Sequence, residues 1–318
     1  MTICGLHGMA EQNRSFNAIS LPTTICSQQV EENQSGHLEK KSDPNIMVMV
    51  VNPIVETYSR LAHEYDEDLN VESCWGRAAQ KALASLVIRD GYDTVLDVGC
   101  GTARALAQLA AQSRSGVQWI GIDPAKNMRT LAADRTGKLP AVRILDGSFE
   151  AIPLESASID YLYSIFAFHW TTDLQASVKE LARVLKPGGD MDLFFIGRNN
   201  GREFIRATTP IFLKHMGPAL LLESAKMRKQ LTREAAFNLF AQVFDPAQLS
   251  VEESYETYYD TLEGHWGWWV RIEGHFMRIP PARRLACDSE TKNAIASLAT
   301  VSGIPYTLHQ LHVKLRRA

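Results

Sequence analysis

Apolar residues first fall into regular spacing at Val55, Tyr58, Leu61, Ala62 and Tyr65, the positions of one helical face. Ahead of them, residues 1 to about 46 are rich in Gln, Asn, Ser and Gly, show no periodicity and predict a disordered tail. This tail has neither the basic start and apolar run of a secretory signal nor the Arg-rich, acid-poor character of a transit peptide. A second helical pattern (Trp75, Ala78, Ala79, Ala82, Leu86) runs from Glu72 to Ile88 and stops at Asp90 and Gly91.

From there, short apolar runs alternate with helical ones. Val95 to Gly99, Trp119 to Asp123, Val142 to Asp146, Ile159 to Ser164 and Met191 to Ile196 read as strands, with helices near Arg104 to Ala111, Asn127 to Asp134 and Asp173 to Leu185. The alternation predicts an α/β fold with a doubly wound, mostly parallel sheet, whose ligands bind beyond the carboxyl ends of the strands. After Gly197 the pattern turns helical: Arg202 to Met216 with a kink at Pro210, Ala219 to Lys229, and Thr232 to Val243. This segment, about 198–245, predicts a helical cap inserted after strand five. Ser250 to Tyr259 and Tyr306 to Leu315 read as two closing strands, giving a seven-stranded sheet and one domain over residues 47–318.

Composition narrows the class. The chain has 318 residues, 33 basic against 36 acidic, and is 45% hydrophobic, an ordinary globular balance that argues against a general nucleic-acid binder. The longest stretch without Asp, Glu, Lys or Arg, Asn293 to Val313, is broken by Gly303, Pro305 and several polar residues, so no membrane span is predicted. Five scattered cysteines without CxxC spacing suit reduced thiols in a cytoplasmic protein better than a disulfide framework or a metal site. Oligomeric state has no signature here.

The chemistry concentrates in Asp97-Val-Gly99-Cys100-Gly101-Thr102, at a strand-to-helix junction where glycines admit a ligand close to the backbone. Without further signals this could be a tight turn and nothing more. Asp123, however, ends the next strand, 24 residues after Gly99, where a carboxylate can accept both hydroxyls of a ribose. Asp146 ends the third strand, where a carboxylate can accept from an adenine amino group. A nicotinamide enzyme shares the Gly-x-Gly and the acid after strand two, but Arg104 occupies the third fingerprint position and would crowd the helix against the strand. Asp97 would also repel a pyrophosphate, whereas it suits a ligand bearing an ammonium and a sulfonium.

The set VLDVGCGT, GIDPAKNM, LDGSFEAIPL, SIDYLYSIFAFHW and LARVLKPGG, in this order and spacing, resembles the class I S-adenosylmethionine-dependent methyltransferases of the methyltransferase type 11 group. The resemblance covers about Val51 to Arg317 and implies a Rossmann-like fold with S-adenosyl-L-methionine as methyl donor. It implies that Gly99 and Gly101 pass the methionine moiety, with Asp97 near its ammonium, and that Cys100 and Ser164 belong to the same donor side. Asp123 would take the ribose, Met128 would pack on the adenine, and Asp146 would receive the adenine amino group beside Gly147 and Ser148. An N-terminal helix often encloses the donor in this family, which makes Tyr58 and Tyr65 candidates for lining the site. Ala103 stands where the family often has a further glycine.

The acceptor side is less specific. His169, after strand four and next to Trp170, is placed to take a proton from an amine or hydroxyl acceptor, or simply to line the pocket. Residues 255–276 hold seven of the chain's 27 aromatics. On a helix, Leu262, Trp266, Trp269, Ile272 and Phe276 form one buried stripe, which leaves Trp268 off its centre as a pocket candidate. The chain's start, YSRLAHEYD, and its end, GIPYTLHQLHVKLRR, are similar to the malonyl-acyl-carrier-protein O-methyltransferases of biotin synthesis, although Ile196 to Arg202 departs from their Thr- and Gly-rich continuation. From Arg198 to Arg233 eight basic residues face two acidic ones. Arg198, Arg202 and Arg206 recur every four residues at the strand-five exit, and Lys226, Arg228 and Lys229 form a second cluster. These features lead to the expectation of an anionic acceptor, small or carrier-borne, methylated on a carboxyl oxygen. A small-molecule N-, O- or C-methyltransferase of specialised metabolism is the alternative within enzymes, and a noncatalytic donor-binding regulator the alternative outside them.

Overall fold

A computed structural model describes residues 52–65, 72–270 and 274–318. The segment predicted as a disordered tail, and Ile272 of the predicted aromatic stripe, lie outside the described residues.

Seven strands form one sheet in the order β3-β2-β1-β4-β5-β7-β6. The first five are β1 (Thr94–Val98), β2 (Gln118–Asp123), β3 (Val142–Asp146), β4 (Ile159–Ile165) and β5 (Leu185–Ile196). All five run parallel, and β1 sits between β2 and β4. This places the topological switch at β1, whose carboxyl end carries Gly99 to Thr102. The last two strands, β6 (Leu249–Asp260) and β7 (Ile304–Arg316), are antiparallel, with β7 between β5 and β6. The parallel strands are Val-, Ile- and Leu-rich because helices cover both their faces. On one face Leu96, Ile122, Leu162, Val178, Leu181 and Phe195 pack in a fully buried core. On the other, Trp119, Tyr161 and Tyr163 pack with Leu106.

The amino-terminal helical pattern resolves into two short helices, α1 (Pro53–Arg60) and α2 (Ala62–Tyr65), separated by Leu61. Asn52 caps α1 by accepting from the Ile54 N–H, and Asn127 fastens the helix to the start of the helix after β2 by donating to Ser59. α3 (Cys74–Ser85) follows, capped by Ser73.

Between β5 and β6 lie α4 (Arg202–Lys226) and α5 (Arg233–Phe240), the helical material expected there. The break expected between Met216 and Ala219 falls at Gly217, and the kink expected at Pro210 is absent: its backbone stays helical. Gly217 has φ 76° and ψ 168°, because Pro218 pushes the residue before it out of helical ψ and a glycine alone tolerates that φ. Of the aromatics in 255–276, Tyr255, Tyr258 and Tyr259 belong to β6, and a helix starts only after Thr261 caps Leu262–Trp268. Trp269 is fully buried there against Phe212 and Phe204. Among the described residues, no helix is long and apolar enough to cross a membrane.

Candidate donor and acceptor site

Two adjoining cavities of about 380 and 210 Å³ open at the carboxyl ends of β1, β2 and β4. They share the Gly99 and Gly101 backbone, Phe166, Tyr58, Tyr65 and Trp170 as walls.

The glycine loop is tied to the end of β2. The N–H groups of Gly99 and Cys100 donate to Ile122 O at 2.8 and 2.9 Å, and the Gly101 N–H donates to Asp123 Oδ2 at 2.9 Å. Gly99 and Gly101 adopt φ of 75° and 54°. A Cβ on Gly99 would lie 2.3 Å from the Ala167 methyl, whereas a Cβ on Gly101 would meet nothing within 4 Å. The first glycine is therefore demanded by packing, and the second leaves open space beside the backbone. Ala103 continues the left-handed turn at φ 57° without a glycine, with its methyl buried.

The larger cavity is lined by Asp123, Met128, Ser148, Phe149 and Glu150. Asp123 is 8% exposed; Oδ1 accepts from the Ala125 N–H at 2.8 Å, and burial raises its pKa against the pull of those amide donors. Met128 is buried in the same wall. The smaller cavity is lined by Asp97, Cys100, His169, Arg228 and Trp268. Asp97 is buried, and desolvation pushes its carboxyl up to about 7. Burial likewise raises the Cys100 thiol well above its ordinary value.

His169 lies in a single 3₁₀ turn, Phe168–Trp170, after β4. Its Nδ1 is sealed from solvent with no hydrogen-bond partner among the described residues, and burial next to the Arg228 charge lowers its pKa to about 3. The ring is thus a neutral imidazole, and among the described residues no carboxylate bonds its Nδ1 to strengthen it as a base. Arg228 sits over the Trp170 ring, and burial lowers its pKa while the Tyr306 and Tyr58 hydroxyls act in the opposite sense. It arrives from the strap between α4 and α5, which is pinned by Lys229 N–H to His169 O at 2.8 Å and by Arg198 N–H to Leu231 O at 2.9 Å.

Of the residues singled out from sequence, Asp97, Gly99, Cys100, Gly101, Asp123, Met128, Ser148, His169, Tyr65 and Trp268 come together around these cavities. Four others do not. Ser164 is buried in β4 with its Oγ unpartnered among the described residues, and Gly147 packs against Pro153. Arg198 and Arg202 are exposed outside both cavities, and Arg202 pairs with Glu203 at 3.2 Å. Asp146 also lies outside: its side chain is 73% exposed and pairs with Arg129 at 2.9 Å. Arg228, which the sequence places in the second basic cluster, lines the smaller cavity, and Glu150, Trp75 and Tyr306, which no sequence signal marked for the site, also line the cavities. Among the described residues, no group of three or more His, Cys, Asp or Glu could hold a metal ion.

Residues 96–191 match the family model of the methyltransferase domain. A malonyl-[acyl-carrier protein] O-methyltransferase from Methylovorus sp. is 34% identical over 54% of this chain and 56% of its own length. A ubiquinone/menaquinone biosynthesis C-methyltransferase from Campylobacter jejuni is 26% identical over 52% of this chain and 73% of its own. The crystal structure of the YcgJ protein from Bacillus subtilis shares the fold at 18% identity with a TM-score of 0.51, covering 76% of this chain and 99% of its own. The chain thus spans little more than half the length of the O-methyltransferase relative. Fold, cavity and domain together define a class I methyltransferase that uses S-adenosyl-L-methionine as its donor.

Proposed function

We propose that the chain methylates a carboxyl oxygen of an anionic acceptor. The observation that carries this reading is Arg228, a guanidinium held in the wall of the smaller cavity next to a histidine that stays neutral. A half-buried guanidinium at a cavity wall attracts an anion, and its fork fits a carboxylate with two parallel hydrogen bonds.

The residues present fit the donor. The space beside Gly101 admits a chain along the backbone, and Asp97 is a desolvated carboxyl that an ammonium would ionise. Asp123 would take ribose hydroxyls, with Met128 against the base. When bound, the donor supplies a methyl group already activated by its sulfonium. The protein's part is then to orient the acceptor oxygen and exclude water, which the strap carrying Arg228 and Gln230 and the rings of Trp170, Tyr58 and Trp268 serve. A carboxylate arrives ionised and needs no base, whereas an amine or alcohol would find in His169 an imidazole with a pKa of about 3.

The aromatic wall of Trp75, Trp268 and Tyr306 suits an apolar body behind the acid group. Exposed Arg198, Arg202 and Lys226 outside the cavity would serve an acceptor borne on an acidic carrier. The test uses methyl-labelled S-adenosylmethionine with panels of free and carrier-bound carboxylic acids. Label released as methanol by mild base marks an ester. Base-stable label would instead mark N-, C- or ether methylation and would overturn this reading, and no label on any member of the panels or in a metabolite extract run beside them would favour a noncatalytic donor-binding protein.

A further inference from the structure

Tyr306, near the start of β7, lines the smaller cavity beside Arg228, Trp75 and Trp268. Its hydroxyl is held by the residues that lead into α4. Asn200, buried there, has both ends of its amide in use. Oδ1 accepts from the His309 N–H at 3.1 Å; a backbone amide can only donate, so the other end must be the NH₂, and Nδ2 donates to the Tyr306 hydroxyl at 2.9 Å. The neighbouring backbone is also close, since a Cβ on Gly201, whose φ is 62°, would lie 2.6 Å from the same hydroxyl oxygen. Tyr306 is therefore an acceptor toward the protein and keeps its own proton to give. Among the described residues no group accepts that proton. Burial pushes the phenol's pKa up, so the proton stays on it throughout the working range. A buried donor without an acceptor is costly, and a ligand oxygen would relieve that cost. Arg228 brings positive charge to the same wall and interacts electrostatically with Tyr306, so the oxygen that suits both is an anionic one.

We infer that Tyr306 donates its phenolic proton in a hydrogen bond to the acceptor's carboxylate, which it holds together with Arg228, and that Asn200 is the positioning residue that aims it. This rests on the reading of an anionic acceptor given above. The carboxylate oxygen bonds the methyl carbon as the carbon–sulfur bond breaks with its electron pair passing to sulfur, and the acid's negative charge is lost in the ester. The hydrogen bond from Tyr306 is thus stronger to the bound acid than in the transition state, and removing it weakens binding without slowing the chemical step.

The test is steady-state kinetics of the full chain with a carboxylic acid that it esterifies. In Tyr306→Phe the KM of the acid should rise about tenfold, as for the loss of a hydrogen bond to a charged group. kcat should not fall, and calorimetric affinity for S-adenosylhomocysteine should stay as in the unmodified chain. Asn200→Ala should raise the KM in the same direction, and should add little to it in the Tyr306→Phe background. An unchanged KM in Tyr306→Phe overturns the inference, as does a loss of kcat or of donor affinity that matches the rise in KM, which is the mark of a purely structural role. An equal effect of Asn200→Ala in both backgrounds overturns the positioning role. If the chain forms no base-labile ester with any acid, it is the anionic-acceptor reading that fails, and the inference falls with it.

Discussion

Arg228 lies across the face of Trp170, its guanidinium carbon 5.3 Å from the ring centroid. The stacking fixes a flexible cation at the cavity wall, where a guanidinium suits a carboxylate. Replacing Arg228 by Gln should raise the acceptor KM by ten- to a hundredfold, since hydrogen bonds to a charged group contribute about 1.5 to 3 kcal/mol. Affinity for S-adenosylhomocysteine should change little. Arg228→Lys keeps the charge without the fork and should recover only part of the loss. Steady-state kinetics with a carboxylic acid that the chain methylates check this, and an unchanged KM in both variants removes Arg228 from the acceptor site.

Asp97 gives the donor affinity a pH dependence of defined sign. Its folded pKa of about 7 exceeds the ordinary carboxyl value, so the folded state holds a proton that the unfolded chain gives up earlier. The ligand-free protein therefore loses stability as pH rises from about 4 to about 7, through this group. The donor's ammonium favours the ionised form, so affinity should rise with pH and level off above 7. Asp97→Asn should abolish that rise, weaken binding at pH 8, and make the ligand-free protein more stable at that pH. Titrations with S-adenosylhomocysteine at pH 5.5 to 8.5 and melting curves over the same range measure both.

His169 has the opposite linkage. Its pKa of about 3 lies below the ordinary histidine value, so between roughly 3 and 6.5 the unfolded chain binds the extra proton and the fold is destabilised as pH falls. Catalysis should not report this titration. At saturating donor and acceptor, kcat should be flat from pH 5.5 to 8, and His169→Asn should retain most of it. A rate that falls through a pKa near 6.5 and collapses in the variant would restore His169 as a general base.

The parts of the site legible in the sequence are those set by local rules. Gly99, Gly101 and Asp123 follow from a strand-to-helix turn and the acid that ends the neighbouring strand, and the structure joins them through one hydrogen bond. Gly217 followed by Pro218 is equally local, and the break read between Met216 and Ala219 falls there. The remainder depends on tertiary placement. Asp123 and Asp146 are register partners at the ends of adjacent strands, yet Arg129 draws only the second into solvent. Among Lys226, Arg228 and Lys229, the inward residue is decided by where His169 and Leu231 pin the strap, contacts between segments far apart in the chain. Spacing along the sequence carries no trace of that choice.

The two loop glycines should separate folding from binding. An alanine at Gly99 would bring its methyl 2.3 Å from that of Ala167 at a φ of 75°, so Gly99→Ala combines a steric clash with left-handed strain. A stability loss of more than about 2 kcal/mol is expected from the two terms together. At Gly101 the added methyl meets no protein atom within 4 Å, so the cost to folding is limited to the strain of φ 54°, about 1 to 2 kcal/mol. In the donor reading proposed above, the same methyl projects into the space the donor would take. Gly101→Ala should therefore melt within several degrees of the unmodified chain and yet bind S-adenosylhomocysteine at least tenfold more weakly. Unperturbed binding in a folded Gly101→Ala protein would place the donor somewhere other than against this loop.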